Sequence, residues 1–257
     1  MIGIWYFSAT GNGEKLAHII AQEYTKEEVE ITDITPYRKR NEIKTNIGYD
    51  KFIFIYPIYA GDVPDVVKGF LEKLKGENTP SILVTTWGSV HPSNALYNGK
   101  RILKERGFKV IAGAEIVAPH TYNNNIVKLG INRPSLEELI QFKHFIQEAL
   151  LRDEEVVFHK ERPSFMMRLP QRSIPIRIVK MGFNKEKCQY CNVCKKKCPV
   201  DAIREDMSID ESKCIRCLGC VKECKLQARS GGFKFLFPSR YLSRFQKKEQ
   251  ESRFYLS

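Results

Sequence analysis

The eight cysteines of this chain are its most informative residues, because they all lie between residues 188 and 224 and repeat one spacing. Three thiolates at positions i, i+3 and i+6 can surround one iron–sulfur cube, and a fourth, carried away by the next turn, ligates the other cube. The spacing therefore predicts two [4Fe–4S] clusters with crossed ligands. The first is held by Cys188, Cys191, Cys194 and Cys224, and the second by Cys214, Cys217, Cys220 and Cys198.

Zinc and disulfides are the alternatives for so many cysteines. Zinc sites usually pair two CxxC units or include histidine, and a disulfide framework does not repeat a three-plus-one spacing. The segment from about residue 184 to 228 resembles the bacterial-type two-cluster ferredoxins. One difference separates the runs, since Pro199 follows Cys198, as in that family, whereas Lys225 follows Cys224. A lysine there would raise the potential of the cluster that Cys224 ligates, unless its side chain is simply solvated.

A second candidate site follows the first predicted strand, where a loop of small and hydroxyl residues opens a helix. The loop is Ser8-Ala9-Thr10-Gly11-Asn12-Gly13. Loop N–H groups and the helix dipole together favour an anion, although the spacing fits neither a Walker loop nor a GxGxxG fingerprint. The loop resembles the flavodoxin phosphate loop, Ser/Thr-x-Thr-Gly-x-Thr, and departs from it at Gly13, where that family usually has a hydroxyl. The resemblance implies that FMN binds here through its phosphate.

Two further loops fall where the resemblance puts the flavin ring. They are Pro57-Ile58-Tyr59-Ala60-Gly61 after the third strand and Thr86-Trp87-Gly88 after the fourth. Each has an aromatic side chain suited to stacking on a planar ring, although either aromatic alone would be more typical of core packing. Tyr122 follows the fifth strand and is a third candidate contact to the ring. Its neighbour His120 is more typical of a solvated loop histidine, and we assign it no catalytic role.

Strand-like and helix-like patterns alternate through residues 1–151 and predict a flavodoxin-like α/β fold. The predicted strands are Ile2–Phe7, Val29–Ile34, Phe52–Tyr56, Ile82–Thr86 and Val110–Val117. The predicted helices are Glu14–Tyr24, Val63–Leu74, Asn94–Arg106 and Leu136–Leu151. Five strands alternating with helices indicate a doubly wound parallel sheet, which binds ligands beyond the carboxyl ends of its strands.

The rest of the chain divides into three parts. Residues 152–183 are a basic connector, expected to be ordered across the domain interface, with a membrane-surface segment as the alternative. Its basic residues include Arg162, Arg168, Arg172, Arg177 and Lys180. Residues 184–228 are expected to form a small α+β ferredoxin-like domain. Residues 229–257 mix aromatic and basic side chains and are expected to dock on the large domain as a terminal helix or strand.

The charge of the chain constrains its partners. The formal net charge is +12, and two oxidised four-thiolate cubes of about −2 each would reduce it to about +8. Such a field favours acidic redox partners or peripheral contact with an anionic membrane. We expect no nucleic-acid binding, because no known motif accompanies the aromatic and basic tail. Without a signal peptide or a membrane-spanning apolar run, eight reduced thiolates lead us to expect a cytoplasmic protein.

The two resemblances together cover about residues 1–150 and 184–228, in the order of the flavodoxin–ferredoxin fusion proteins of anaerobic bacteria. They imply an electron-transfer protein that relays electrons between two [4Fe–4S] clusters and FMN within one chain. The alternative is a flavin-dependent reductase of a small substrate, fed by the clusters. The sequence contains no evident general acid–base pair or nucleophile, which favours the carrier.

Overall fold

A parallel sheet forms the larger part of the molecule. The structure, a computed structural model, describes residues 1–25, 28–162, 170–248 and 250–257. The five parallel strands follow the order β2-β1-β3-β4-β5, so the winding direction reverses between β1 and β3. They are β1 (Ile2–Tyr6), β2 (Val29–Asp33), β3 (Lys51–Pro57), β4 (Pro80–Trp87) and β5 (Lys109–Val117). The predicted doubly wound parallel sheet is confirmed.

Helices cover both faces of this sheet, which is why its central strands are apolar throughout. In β3, Phe52 and Phe54 belong to one core and Ile53 and Ile55 to the other, and all four are fully buried. The helices are α1 (Asn12–Ala21), α2 (Tyr37–Glu42), α3 (Asp65–Leu71), α4 (Ala95–Glu105) and α5 (Leu136–Leu150). Four of them correspond to predicted helices, whereas α2 was not predicted.

A sixth strand extends the sheet beyond the five that were predicted. Strand β8 (Arg253–Leu256) pairs antiparallel with β5, with Leu256 opposite Ala112 and Arg253 opposite Glu115. The Tyr255 hydroxyl also hydrogen-bonds to the buried Glu115 carboxylate at 3.1 Å. The expectation that the C-terminal extension docks on the large domain is therefore confirmed. The extension also contains α9 (Leu236–Ser243) and a 3₁₀ helix (Arg244–Lys247).

The cysteine segment lies between two short antiparallel strands. Strand β6 (Val179–Phe183) pairs with β7 (Arg229–Phe233), and Phe183 is opposite Arg229. The short helices around them are α6 (Ser173–Ile178), α7 (Val193–Lys196) and α8 (Gly219–Glu223). The expected domain boundaries after residues 183 and 228 therefore leave β6 and β7 outside the cysteine segment, although the two strands pair on either side of it.

The described part of the connector contacts both units. Gln171 accepts a hydrogen bond from the Asp65 backbone N–H at 3.0 Å, beside α3. Arg172 donates to the Glu211 carbonyl at 2.8 Å, in the cysteine segment. Residues 163–169, which include Arg168, lie outside the described residues. No described helix has the length and apolarity needed to cross a membrane.

Candidate functional site

Three loops meet at the carboxyl edge of the parallel sheet. The loop after β1 lies beside the loop after β3, because the Phe7 N–H bonds to the Ile55 carbonyl at 2.8 Å. The loop after β3 in turn lies beside the end of β4, since the Ile58 N–H donates a hydrogen bond to the Thr86 carbonyl at 2.9 Å. The winding direction reverses between β1 and β3, which is where doubly wound sheets bind ligands. The structure therefore brings together the three loops singled out in the sequence.

The loop from Ser8 to Gly13 forms an open anion cradle. Gly11, the residue before α1, has a φ of 85°, in the left-handed region that glycine occupies without steric cost, and no side chain caps the helix. Among the described residues, the backbone N–H groups of Thr10, Asn12 and Glu14 have no hydrogen-bond acceptor. These free donors at a helix N-terminus fit an anion such as a phosphate.

The departure of this loop from the flavodoxin pattern at Gly13 has a steric reason. A Cβ atom at Gly13 would lie 3.2 Å from Cγ2 of Ile55 and 3.4 Å from the Ser8 side chain. The Gly13 N–H donates instead to the Ser8 hydroxyl at 2.9 Å. Ser8 is itself fixed, because its N–H donates to the Thr35 hydroxyl at 2.8 Å. A glycine thus allows α1 to pack closely on β3.

The charges beside the cradle are mainly acidic. The cleft next to it is lined by Ser8, Ala9, Glu14, Asp33, Thr35, Lys197, Gly219 and Glu223. Lys197 forms an ion pair with Glu223 at 3.0 Å, and Glu223, with lesser contributions from Glu14 and Asp33, raises the pKa of this lysine. Since the carboxylates outnumber the single lysine of this lining, neutral N–H donors rather than a salt bridge have to hold an anion.

The loop after β3 presents Tyr59 through a tight turn. Ala60 and Gly61 have φ values of 51° and 75°, and the backbones of Tyr59 and Asp62 exchange hydrogen bonds of 3.0 and 3.1 Å. Two successive left-handed residues are the signature of a type I′ turn. The Asp62 carboxylate anchors the turn by accepting a hydrogen bond from Asn98 at 2.8 Å. Tyr59 is left half-buried at the edge of the sheet.

Trp87, predicted to lie in a loop, is the last residue of β4 and has an unused donor. Its side chain is 3% exposed, and its indole Nε1 is one of the buried polar atoms that have no partner within the described residues. Buried donors in native proteins nearly always have acceptors. An acceptor supplied by a bound ligand would satisfy this one, so the residue fits its predicted place beside a flavin. Pro57 and Thr86 are paired at the carboxyl ends of β3 and β4, and Ile58 directly follows β3.

A fourth loop, after β5, carries a neutral histidine and a partly enclosed tyrosine. Gly88 packs against His120, since a Cβ at Gly88 would lie 2.9 Å from the His120 Cα. Burial lowers the pKa of His120 to about 4, so the imidazole is neutral. Its Nδ1 accepts the Tyr122 N–H at 3.1 Å, and Asn12 from the cradle donates to the Pro119 carbonyl at 3.4 Å. His120 thus serves the shape of the loop.

The second cysteine run encloses a cavity together with one cysteine of the first. Cys198, Cys214, Cys217 and Cys220 line this cavity with eight apolar or proline residues from the same unit. They are the four cysteines that the crossed scheme assigns to one cluster. Burial raises the pKa of the Cys217 and Cys220 thiols, the latter to about 12. Cluster ligation deprotonates thiols, so this apolar setting fits a site whose charge the metal compensates.

The backbones of the two cysteine runs have the same conformation. Positive φ values occur at Tyr190 and Asn192 in the first run and at Arg216 and Leu218 in the second, which are equivalent positions. The pattern repeats past the fourth cysteine of each run, at Asp201 and Gln227. Left-handed residues are uncommon outside glycine, so this repetition indicates one local fold built twice. No group of three or more His, Cys, Asp or Glu among the described residues is placed to hold a single metal ion.

The cysteine sites differ in their exposure. Cys191 of the first run is exposed, whereas Cys214 of the second is buried. Lys225, which follows Cys224, is exposed, so solvent screens its charge and the solvated interpretation is favoured. Arg229 was not predicted to belong to a site, but it is only 3% exposed and its Nη2 lies 3.6 Å from the Cys194 sulfur.

Comparison with known proteins identifies both units. Residues 3–106 match the family model of the flavodoxin domain, and residues 181–204 match that of the 4Fe-4S binding domain. The chain joins a flavodoxin domain to a 4Fe–4S domain. This order is consistent with a flavodoxin–ferredoxin fusion and with a role in electron transfer. A flavodoxin domain implies FMN and a 4Fe–4S domain implies at least one cluster, although the second match ends before the second cysteine run.

Solved flavodoxins are similar to the chain over rather more than half its length. A flavodoxin from the domain Archaea is 14% identical, with 56% of this chain and 92% of that chain covered and a TM-score of 0.41. For Flavodoxin 2 from Bacillus cereus the values are 18%, 58%, 97% and 0.44. For Fusobacterium nucleatum flavodoxin bound to flavin mononucleotide they are 16%, 57%, 96% and 0.41. No curated protein sequence matches the chain.

The 4Fe–4S domain lies directly on the candidate flavin loops of the flavodoxin domain. Gly219 packs on the cradle so closely that a Cβ there would lie 2.6 Å from the Ala9 carbonyl oxygen. The Tyr122 hydroxyl donates to the Arg216 carbonyl at 2.9 Å. Burial, together with the charge of Cys217, raises the pKa of both Tyr59 and Tyr122. Both tyrosines therefore lie near the second cysteine run.

The unpredicted helix α2 makes the other contact between the domains. The Tyr37 N–H donates to the Cys198 carbonyl at 3.1 Å. The buried Arg40 donates to the Pro199 carbonyl at 2.6 Å and to the Ile34 carbonyl at 2.8 Å. Burial lowers the pKa of this guanidinium, and the carbonyls compensate for its desolvation. The backbone around Cys198, which the crossed scheme assigns to the second cluster, is thus fixed from the flavodoxin side.

Proposed function

We propose that this chain relays single electrons between an external protein and FMN, through two [4Fe–4S] clusters. Each cluster exchanges one electron and a flavin takes one or two, so holding them together gathers or splits electrons without an encounter between separate carriers. The observation that carries the proposal is the packing of the second cysteine run on the loops after β1 and β5.

The residues of the flavodoxin domain fit FMN in two respects. The N–H groups of Thr10, Asn12 and Glu14 are free for the phosphate, and the buried Nε1 of Trp87 is free for a ligand acceptor. We assign ring contacts to Tyr59, Trp87 and Tyr122, which lie at or just after the carboxyl ends of β3, β4 and β5. Ala60, Gly61 and Gly88 shape these loops.

The cysteines fit two clusters with crossed ligands. The cavity lined by Cys198, Cys214, Cys217 and Cys220 supports the second set. The repeated left-handed backbone supports an equivalent site in the first run, which we assign to Cys188, Cys191, Cys194 and Cys224. The second site is the nearer to the flavin loops, because Cys217 acts electrostatically on Tyr59 and Tyr122. We therefore order the relay as first site, second site, flavin.

The partner docks, in this proposal, on the surface around the exposed Cys191. Exposed lysines lie in the same cysteine segment of the chain: Lys185, Lys187, Lys196, Lys222 and Lys225. An acidic one-electron carrier protein would be steered to such a surface, with an association rate that falls as salt is added. The basic net charge of the chain is consistent with this choice.

Flash photoreduction under anaerobic conditions tests the relay. The purified protein should first contain about eight iron, eight sulfide and one FMN. After a substoichiometric pulse of electrons, the flavin should be reduced at a rate that does not depend on protein concentration, because the transfer is intramolecular. A rate proportional to concentration would contradict the relay. FAD in place of FMN, or zinc at the cysteines, would contradict the cofactor assignment.

The docking surface has a separate test with a matched control. Lys187→Glu and Lys196→Glu should each slow reduction by a small acidic ferredoxin several-fold at low salt, and high salt should reduce the difference. Lys73→Glu makes the same change at an exposed position of the flavodoxin domain and should have little effect. Equal slowing by all three would show that only net charge matters and that no specific surface is used.

A further inference from the structure

A buried guanidinium lies between the two cysteine sites. Arg229 begins β7 and is 3% exposed. Its Nη2 is 3.6 Å from the Cys194 sulfur of the first site. Its strand also packs on the second run, since a Cβ at Gly231 would lie 2.6 Å from the side chain of Leu218, which lines the cavity of the second site. The charge of Arg229 lowers the pKa of Cys220 there. The Phe183 ring, opposite Arg229 in the β6–β7 pair, has its centre 4.4 Å from the guanidinium carbon. The ring therefore holds the guanidinium plane in a fixed place.

Among the described residues, no carboxylate balances the positive charge of Arg229. Within residues 1–25, 28–162, 170–248 and 250–257, Arg229 forms no ion pair with a carboxylate, and its Nη1 is buried with no hydrogen-bond partner. A buried charge is strongly unfavourable unless it is paired and hydrogen-bonded. The nearest anionic groups are thiolates of the two cluster sites. The burial of the Arg229 charge is therefore accounted for if both sites carry the negative charge of a four-thiolate cluster.

We propose that Arg229 is a shared tuning residue, which donates to the Cys194 thiolate from Nη2 and holds Nη1 for an acceptor that a cluster supplies. The inference rests on the proposed function, because it requires iron–sulfur clusters in both sites. A fixed positive charge favours the more negative, reduced form of each cluster, so Arg229 raises both reduction potentials. Arginine suits this place, since it stays charged and its donors point in fixed directions.

Lys225 is the matched control for this inference. It also lies near a cluster cysteine, directly after Cys224, but its side chain is exposed. Solvent and salt screen an exposed charge, whereas they screen a buried one much less. Arg229 should therefore influence the potentials and Lys225 should not.

Anaerobic redox titration followed by electron paramagnetic resonance tests the inference in the full-length protein. Arg229→Gln should make reduction of both clusters at least tenfold less favourable, which is about 59 mV for one electron. Arg229→Lys keeps the charge and should shift both potentials less. Lys225→Gln should leave both unchanged within that limit. The shift in Arg229→Gln should persist at high salt.

The outcomes separate this inference from the function on which it rests. Full iron content in Arg229→Gln with unmoved potentials would overturn the tuning role alone and leave the relay intact. A shift of one cluster only would overturn the shared role. Zinc or fewer than four irons in the wild-type protein would overturn the proposed function together with this inference. If Arg229→Gln fails to bind iron, then Arg229→Lys decides, because a shift of about 59 mV or more in this variant, which keeps the charge, would contradict the proposal.

Discussion

The hydroxyl of Tyr122 donates a hydrogen bond to the backbone carbonyl of Arg216, 2.9 Å away. The first residue belongs to a loop of the flavodoxin domain and the second lies directly before Cys217 of the 4Fe–4S domain. The Tyr122 ring also packs on Phe233 of β7, with 5.2 Å between the ring centres. One side chain thus links the carboxyl edge of the parallel sheet to the second cysteine run and to the strand pair that flanks it.

Removing this hydroxyl should weaken the contact between the domains without removing the ring. We expect Tyr122→Phe to cost about 1 kcal/mol of stability, because it leaves the Arg216 carbonyl without its donor. Electron transfer from the second cluster to the flavin should also slow, which flash photoreduction measures directly. Tyr24→Phe removes a hydroxyl from a half-buried tyrosine after α1 and serves as the control. Unchanged transfer in Tyr122→Phe would show that the bond is structural only.

In the crossed ligand scheme, Cys198 and Cys224 each ligate the cluster that is held mainly by the other cysteine run. Cys198→Ala should damage the site of Cys214, Cys217 and Cys220, with which it shares a cavity, and spare the first site. Cys224→Ala should do the reverse. Iron analysis and electron paramagnetic resonance show which cluster remains in each of the two variants. If each substitution harmed the cluster of its own run, the crossed scheme would be wrong.

The left-handed backbone at Gly11 gives a test of the anion cradle. A Cβ there would meet only Glu14 Oε2 at 3.9 Å, so the cost of Gly11→Ala comes from its φ of 85°. That conformation costs an L-residue roughly 1–2 kcal/mol, and relaxing it should turn the loop N–H groups away from the phosphate. We expect FMN to bind several-fold more weakly, measured by fluorescence on anaerobic titration. Gly48→Ala, which meets no atom within 4 Å, should leave FMN binding unchanged.

Glu115 makes stability depend on pH near neutrality. Burial raises its pKa from 4.5 to about 7, against the hydrogen bond from Tyr255 and the charge of Arg253. Between these values the unfolded chain has released the proton that the folded protein still holds, so stability falls as pH rises, by about 3 kcal/mol in all. Glu115→Gln cannot ionise, so its stability relative to wild type should increase from pH 4.5 to 8.

Urea denaturation followed by circular dichroism, at several pH values, measures that difference. Glu154→Gln neutralises an exposed carboxylate shortly after α5 and controls for the change in net charge. A constant difference between Glu115→Gln and wild type over this pH range would show that Glu115 does not hold its proton.

The sequence predicted the parts of the fold that depend on local pattern. The apolar run in β3 and the small residues of the Ser8–Gly13 loop each specify a local structure, and the sheet then brings the loops together. Helix α2 was missed because its sequence, YRKRNE, has no apolar stripe. Its place depends on the contacts that Arg40 makes with Ile34 and Pro199, which no local pattern reveals.

Long-range pairing and burial account for the other omissions. Strand β8 is identified by its register with Ala112 to Glu115, far away in the chain. Arg229 was interpreted as the first residue of a basic tail, because a sequence does not show which cations are buried. The cysteine spacing predicted the ligand sets, whereas the identical left-handed residues of the two runs became visible only in the structure.

The antiparallel strand β8 has a consequence for biosynthesis. Until Arg253–Leu256 leave the ribosome, the hydrogen-bonding edge of β5 has no partner, although every other strand of that sheet has already been made. An unpaired edge strand invites pairing with another chain. The whole cysteine segment is translated in this interval, so the β5 edge stays open while the 4Fe–4S domain is made. A chain truncated before Arg253 should therefore aggregate more readily than the full-length protein.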